Sequence, residues 1–166
     1  MNNQIFLAIN GFAGHWAVLD AVGIFFAKYF VYLFGAFILS FWLKKSLRDN
    51  FYTAFFSAAV SYGFVEVVKR LINLPRPYEV LRVHQLLVDQ ERGNSFPSGH
   101  TVVLFSFAFA FYGTKYFWPF LILAAVGSLA RIYVGVHYPG DILASIVIAG
   151  LAVFFVKRLF KKGALG

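Results

Sequence analysis

The chain has no cysteine, so a disulfide framework, a thiolate metal site and a cysteine nucleophile are all excluded. Charge is scarce as well. Only 13% of the 166 residues are charged, against about 25% in a soluble domain, and just 7 are acidic. No basic run exceeds two residues and no helix is basic along its length, so the net charge of +8 does not describe a nucleic-acid surface. The first basic residue is Lys28, and the start therefore lacks the positive region of a secretory signal. What is abundant is apolar: 60% hydrophobic and 20% aromatic residues, 22 Phe, and a mean hydropathy of +0.72. A soluble domain this small could not hide that much apolar surface. The composition predicts an all-α integral membrane protein, a polytopic helical bundle forming one membrane-embedded domain over residues 1–166.

A helix needs about 20 residues to cross roughly 30 Å of hydrocarbon. Five segments approach that length: Leu19 to Leu43, Phe51 to Val68, Gly99 to Tyr112, Trp118 to Tyr133 and Ile142 to Val156. The third and fourth are short and are expected to extend into neighbouring residues. Trp42, Tyr52, Trp118 and Tyr138 fall near segment ends, where an aromatic belt sits. Residues 1–17 mix Ile5, Phe6, Ile9, Phe12 and Trp16 with Asn2, Asn3, Gln4, Asn10 and His15. That pattern predicts a short interfacial helix loosened by Gly11 and Gly14, giving five to six membrane helices in all.

Five spans place the termini on opposite sides, and basic loop residues choose the orientation. One side holds Lys44, Lys45, Arg48, Lys115, Lys157, Arg158, Lys161 and Lys162, which is 8. The other holds Lys28, Lys69, Arg70, Arg76, Arg82, Arg92 and Arg131, and setting aside the three in the motifs below (Lys69, Arg76, Arg131) leaves 4. The N-terminus and the long loop are thus expected outside, with the C-terminal tail in the cytoplasm. That loop, about Lys69 to Phe96, carries Glu79, Asp89 and Glu91. From Tyr78 to Val88 it has apolar residues at helical intervals (Val80, Leu81, Val83, Leu87), which predicts a surface helix or a lid on the bilayer.

Three polar clusters fall at the outward ends of the spans: Lys69 with Arg76-Pro77, Ser95-Phe96-Pro97-Ser98-Gly99-His100, and Arg131 with His137 and Asp141. Taken singly each has an ordinary reading. Lys69 and Arg70 suit headgroup anchors, Ser98 suits a helix cap, and His137 with Asp141 suits a hydrogen bond closing a Tyr-Pro-Gly turn. Together they place three cations, two histidines, a serine, a glycine and one acid on one face.

That set suits phosphoryl transfer to a histidine. Lys69, Arg76 and Arg131 can neutralise phosphate oxygens without a metal or other cofactor, and Ser98 and the Gly99 amide can add donors at a helix start. His137 attacks phosphorus only as a neutral imidazole whose other nitrogen is held, and Asp141 is spaced to hold it. His100 is the remaining candidate acid for the leaving oxygen. Glu66, three residues before Lys69, can pair with it or with Arg70.

The pattern Lys69-x6-Arg76-Pro77, Pro97-Ser98-Gly99-His100 and Arg131-x5-His137-x3-Asp141 resembles the type 2 phosphatidic acid phosphatase superfamily. The resemblance covers residues 69 to 141 in order. It implies a metal-independent lipid phosphatase with a phosphohistidine intermediate: His137 as nucleophile, Asp141 as its orienting acid, His100 as general acid, and Lys69, Arg76, Ser98, Gly99 and Arg131 as the phosphate cradle. One departure stands out. Where the family usually has a serine before the arginine, this chain has Ala130. One hydroxyl donor is lost, which is expected to tune affinity by roughly 1–3 kcal/mol rather than abolish chemistry.

The implied substrate is a phosphorylated membrane lipid met at headgroup level, with the enzyme in a bacterial inner membrane and its site facing the periplasm. Undecaprenyl pyrophosphate, the 1-phosphate of lipid A and phosphatidylglycerol phosphate all fit, and so little chain lies outside the bundle that more than one is expected to be accepted. Two alternatives use the same cations otherwise: an anion or lipid transporter, and a haloperoxidase-like site holding vanadate.

Overall fold

The computed structural model describes residues 2–87 and 93–163, with side chains as far as Phe160. Helix α1 (Asn2–Asn10) is followed by a first long span, Ala17–Leu43. That span consists of α2 (Ala17–Ile24), a π-helical turn (Phe25–Tyr29), α3 (Phe30–Leu39) and a 3-10 end (Ser40–Leu43). Then come α4 (Arg48–Leu71), a single turn α5 (Pro77–Val80), α6 (Gly99–Ala110), α7 (Phe117–Tyr133) and α8 (Pro139–Gly163). Ala17–Leu43, Lys45–Leu71 and Pro139–Phe160 are long and apolar enough to cross a bilayer, and α6 and α7 are shorter apolar helices among them. The protein is a multi-pass membrane protein, with five helical segments where the hydropathy places them.

Helix α6 is the axis of the bundle. Its buried residues, among them Val102, Leu104, Phe105, Phe107 and Ala108, lie all round it, as expected of a helix enclosed by others. It packs on α4, α7 and α8. On α4 the buried positions are small, Ala54, Ser57, Ala58 and Ser61, which lets two backbones approach closely. Ser61 Oγ lies 3.1 Å from Ser106 Oγ, so the buried hydroxyls satisfy each other between the helices. At the end far from the polar clusters, Phe41, Phe111, Tyr116 and Phe120 cluster at 4.8–6.3 Å, edge to face except for Tyr116 and Phe120, which stack at 5.7 Å. Lys44 Nζ reaches Tyr116 Oη there at 3.3 Å, so two of the basic loops share that end. Large apolar side chains such as Leu33, Phe56, Val60, Leu143 and Val147 cover the outside of the bundle, a surface suited to lipid.

One expectation is corrected. The apolar residues from Tyr78 onward do not form a helix past α5, and 81–87 runs without helical structure. Its backbone groups are taken elsewhere. The His84 amide donates to Asn10 Oδ1 (3.0 Å), the His84 carbonyl accepts from Asn10 Nδ2 (2.9 Å), and the Leu86 amide donates to the Val134 carbonyl (3.1 Å). A helix would need those groups internally. Val88, Asp89, Glu91 and Arg92 of this loop, like Lys161 and Lys162 side chains of the tail, lie outside the described residues. The expected short N-terminal helix forms as α1, and its Phe6 and Asn10 are buried against the bundle. Phe6 lies 5.4 Å from the Tyr138 ring, and the Gly140 amide donates to Asn2 Oδ1 at 3.0 Å, so α1 packs at the end where α7 finishes and α8 begins.

Candidate active site

Pro139 starts α8, and Asp141 falls in its first turn, where a carboxylate meets unpaired amides. Asp141 Oδ2 accepts from the Tyr138 amide (2.9 Å) and from the Ser95 hydroxyl, and His137 Nδ1 stands 3.3 Å from the same oxygen. His137 and Asp141 are both almost wholly buried. With Nδ1 held this way, the plane of the ring is fixed and Nε2 is the nitrogen on the side away from Asp141. Tyr138, in the turn before α8, has its phenol pushed up by burial and then by the Asp141 charge, so it stays protonated.

The chain enters α6 through a cis Phe96–Pro97 bond. Ser98 is the N-cap: its Oγ accepts from the Thr101 amide at 3.4 Å. Its own amide is spent on Ser145 Oγ (2.8 Å), which in turn donates to the Asp141 carbonyl (2.7 Å). Ser98 thus ties α6 to α8 from a fully buried position. Gly99 and His100 follow on the open side of the helix.

The three cations arrive from three directions. Arg131, in the last turn of α7, is buried and donates from Nη1 to the Ala27 carbonyl at 2.7 Å, inside the π-helical turn of the first span. Arg76 is buried too, donating from Nε to the Gly93 carbonyl (2.9 Å) and from Nη1 to the Val136 carbonyl (3.0 Å). Its backbone amide donates to Glu79 Oε2, which holds α5 against it. Lys69 pairs with Glu66 at 3.4 Å, the pairing the sequence suggested. Lys69 lies about 10 Å beyond Tyr62 along α4, at 1.5 Å for each of seven residues. Yet a Cβ on Gly99 would meet Tyr62 Cε2 at 3.1 Å and Lys69 Nζ at 3.7 Å. The lysine therefore reaches back down the helix, in the direction helical side chains lean. The Tyr62 ring crowds the space where a side chain on residue 99 would go, with the Lys69 ammonium in ordinary contact beside it.

These groups meet at the floor of a groove of about 550 Å³. Lys69, Gly99, His100, Arg131 and His137 line its polar end, while Val31, Gly35, Ala36, Leu39, Phe55 and Phe107 form apolar walls. A second, more polar opening of about 400 Å³ shares Tyr62 and Lys69 with it and adds Arg70, Arg76, Gly93 and Asn94. An apolar groove and a more polar opening thus adjoin at Tyr62 and Lys69. Asp141 and Ser95 sit behind His137, on a separate cavity lined also by Asn2 and Tyr138. Ala130 packs with Ala27, Leu87 and Val134 in an apolar cluster.

A family model of the PAP2 superfamily matches residues 50–164. The chain belongs to this superfamily. It is 33% identical over 164 residues to undecaprenyl-diphosphatase BcrC of Bacillus subtilis (strain 168), covering 95% of this chain and 83% of that one. It is 28% identical to a protein of Bacillus licheniformis named bacitracin transport permease protein BcrC, over 94% of this chain and 79% of the relative. The crystal structure of Aquifex aeolicus LpxE superposes with a TM-score of 0.82 at 23% identity, covering 95% of this chain and 94% of that one. The PAP2 chain described here is a membrane lipid phosphatase, a hydrolase acting on phosphate esters. The transporter alternative is not supported, since of the two relatives sharing the BcrC designation the more similar one is named as a phosphatase.

Several residues that the structure sets around the cluster had no role in the sequence reading, Ser145 among them. Ser95 stands in the second motif without an assigned role, and the structure places its hydroxyl on Asp141. Tyr62 and Ala27 carried no signal, because an aromatic and an alanine inside apolar spans look like any other lipid-facing or core residue.

Proposed function

We propose that this PAP2 phosphatase, acting as one domain over residues 1–166, removes the terminal phosphate of a lipid diphosphate such as undecaprenyl pyrophosphate. The observation that carries the reading is His137 backed by Asp141 at the polar floor of an otherwise apolar groove. A lipid enters such a groove sideways with its chain along the walls, and its phosphate comes to rest among Lys69, Arg131 and the Gly99 amide. Arg76 adds charge from the polar opening, and Ser98 serves by fixing the start of α6. Three positive charges on a phosphoryl group of few protein contacts make electrostatic stabilisation the main contribution.

His137 Nε2 attacks the terminal phosphorus, the bond to the bridging oxygen breaks, and His100 donates its proton to that oxygen as the lipid monophosphate leaves. Asp141 keeps Nδ1 protonated and stabilises the positive ring. Water, reaching the site through the polar opening, then attacks phosphorus while His100 takes its proton. The nitrogen–phosphorus bond breaks and inorganic phosphate departs. No step needs a metal. The basic-residue balance supports a site facing the periplasm of a bacterial inner membrane.

Because the walls are apolar and carry few polar groups, we expect the 1-phosphate of lipid A and phosphatidylglycerol phosphate to be accepted as well. The test is phosphate release by the detergent-purified protein with EDTA present on all three lipids. Release from undecaprenyl pyrophosphate, lost in His137→Ala, is the expected result. Release that depends on an added divalent metal, or a preference above about 1000-fold for another lipid, would overturn this assignment.

A further inference from the structure

A diphosphate brings a second phosphate that stays with the lipid, and the cradle described above is spent on the first. This lipid-linked phosphate must lie between the phosphoryl group at His137 and the chain in the groove. We propose that Lys28, carried by the π-helical turn, forms the subsite for the lipid-linked phosphate of a lipid diphosphate. The inference rests on the diphosphate reading above and names the residue that would separate diphosphates from monophosphates.

Position is the first argument. Val31, Tyr32, Gly35 and Ala36 form part of the groove wall, and Lys28, outside that lining, precedes Val31 and Tyr32 by three and four residues on the same span. The Tyr32 ring stands 6.4 Å from the His100 ring, edge to face. Ala27, the residue before Lys28, holds Arg131 through its carbonyl. The backbone at Lys28 is therefore tied to the phosphate cradle on one side and leads to the candidate acid on the other.

Charge is the second. A partly buried lysine within an apolar span is costly and calls for a purpose. Among the described residues it makes no ion pair; its Nζ lies 4.8 Å over the Tyr29 ring. A phosphate oxygen is a stronger partner than a ring face, and the flexible four-carbon stem lets the ammonium exchange one for the other. The third argument is backbone. The Phe30 amide bonds back to the Phe25 carbonyl, five residues away, and so widens the helix at Lys28. Neither proline nor glycine lies within the turn to cause it, and such π-turns recur at functional sites. Neutralising the lipid-linked phosphate would also make it a better leaving group, because it departs as part of the lipid monophosphate.

The experiment compares farnesyl diphosphate with farnesyl monophosphate, which share one chain, as substrates of the full-length protein in detergent. The readout is the ratio of kcat/KM on the two. Lys28→Met is expected to lower the diphosphate-to-monophosphate ratio roughly 10- to 100-fold, and Lys28→Arg to restore it to within about 3-fold of wild type. An unchanged ratio in Lys28→Met makes Lys28 a headgroup anchor and overturns the subsite. Equal losses on both substrates mean the substitution acts through Arg131, and this also overturns it. A wild type that hydrolyses only the monophosphate removes the diphosphate reading itself, and the subsite falls with it.

Discussion

His137 Nδ1 lies 3.3 Å from Asp141 Oδ2, and that one oxygen also receives the Ser95 hydroxyl and the Tyr138 amide. An acid held by two other donors cannot swing away, so it fixes the plane and tautomer of the imidazole. Asp141→Asn is expected to leave the fold intact and lower kcat about 10²- to 10⁴-fold, since the amide no longer favours a positive ring. Ser95→Ala removes one of the supporting donors and is expected to cost roughly 10-fold. Steady-state phosphate release with matched thermal melts checks both.

Arg131 is aimed by a backbone carbonyl, at 2.7 Å from Ala27. A lysine keeps the charge but loses the fork that bonds a carbonyl and a phosphate together. Arg131→Lys should therefore lower kcat/KM about 10²-fold while the melting temperature stays close to wild type. Full activity in this variant would mean that charge alone suffices.

A methyl group on Gly99 would press on Tyr62 Cε2 at 3.1 Å and touch Lys69 Nζ at 3.7 Å. Gly99→Ala is expected to raise KM roughly 10-fold by displacing the ammonium, and Tyr62→Ala in the same chain should recover part of the loss by giving the methyl room. A double variant worse than the sum of the singles would contradict this.

Asn10 bonds the His84 amide and carbonyl and the Tyr133 carbonyl from a buried position. Asn10→Ala leaves those groups without their amide partner, at about 2–4 kcal/mol of stability. The loss should appear as a lower melting temperature and as faster proteolysis within 81–87.

Gly35 lies on the groove wall, and a Cβ there would meet Phe107 at 3.4 Å. Gly35→Phe is expected to obstruct the apolar part of the groove. KM for undecaprenyl pyrophosphate should rise about 10-fold or more, with a smaller change for a short-chain diphosphate.

The three motifs were legible because charge and histidine at the ends of apolar spans demand an explanation, and their spacings are independent of one another. The spans were legible by length and hydropathy. What escaped is what depends on partners distant in sequence. Val80, Leu81, Val83 and Leu87 have helical spacing, yet 81–87 is drawn out by Asn10 and Val134, more than 45 residues away in either direction. Asn10 itself reads as the polar face of a surface helix until Tyr133 is set beside it. The π-helical turn at Phe25–Tyr29 has no proline or glycine to announce it. Ser98 reads as a phosphate donor; its amide is spent on Ser145, while its Oγ accepts from the Thr101 amide and keeps its own hydrogen to donate.

The central claim is that His137 carries the phosphoryl group. The most direct test is an acid-free denaturing quench during turnover of undecaprenyl pyrophosphate in EDTA, followed by intact-mass and peptide analysis. A mass gain of one phosphoryl group that maps to His137 and is absent in His137→Ala is the expected result. A covalent phosphoryl group on another residue, or steady turnover by His137→Ala at the wild-type rate, would contradict it.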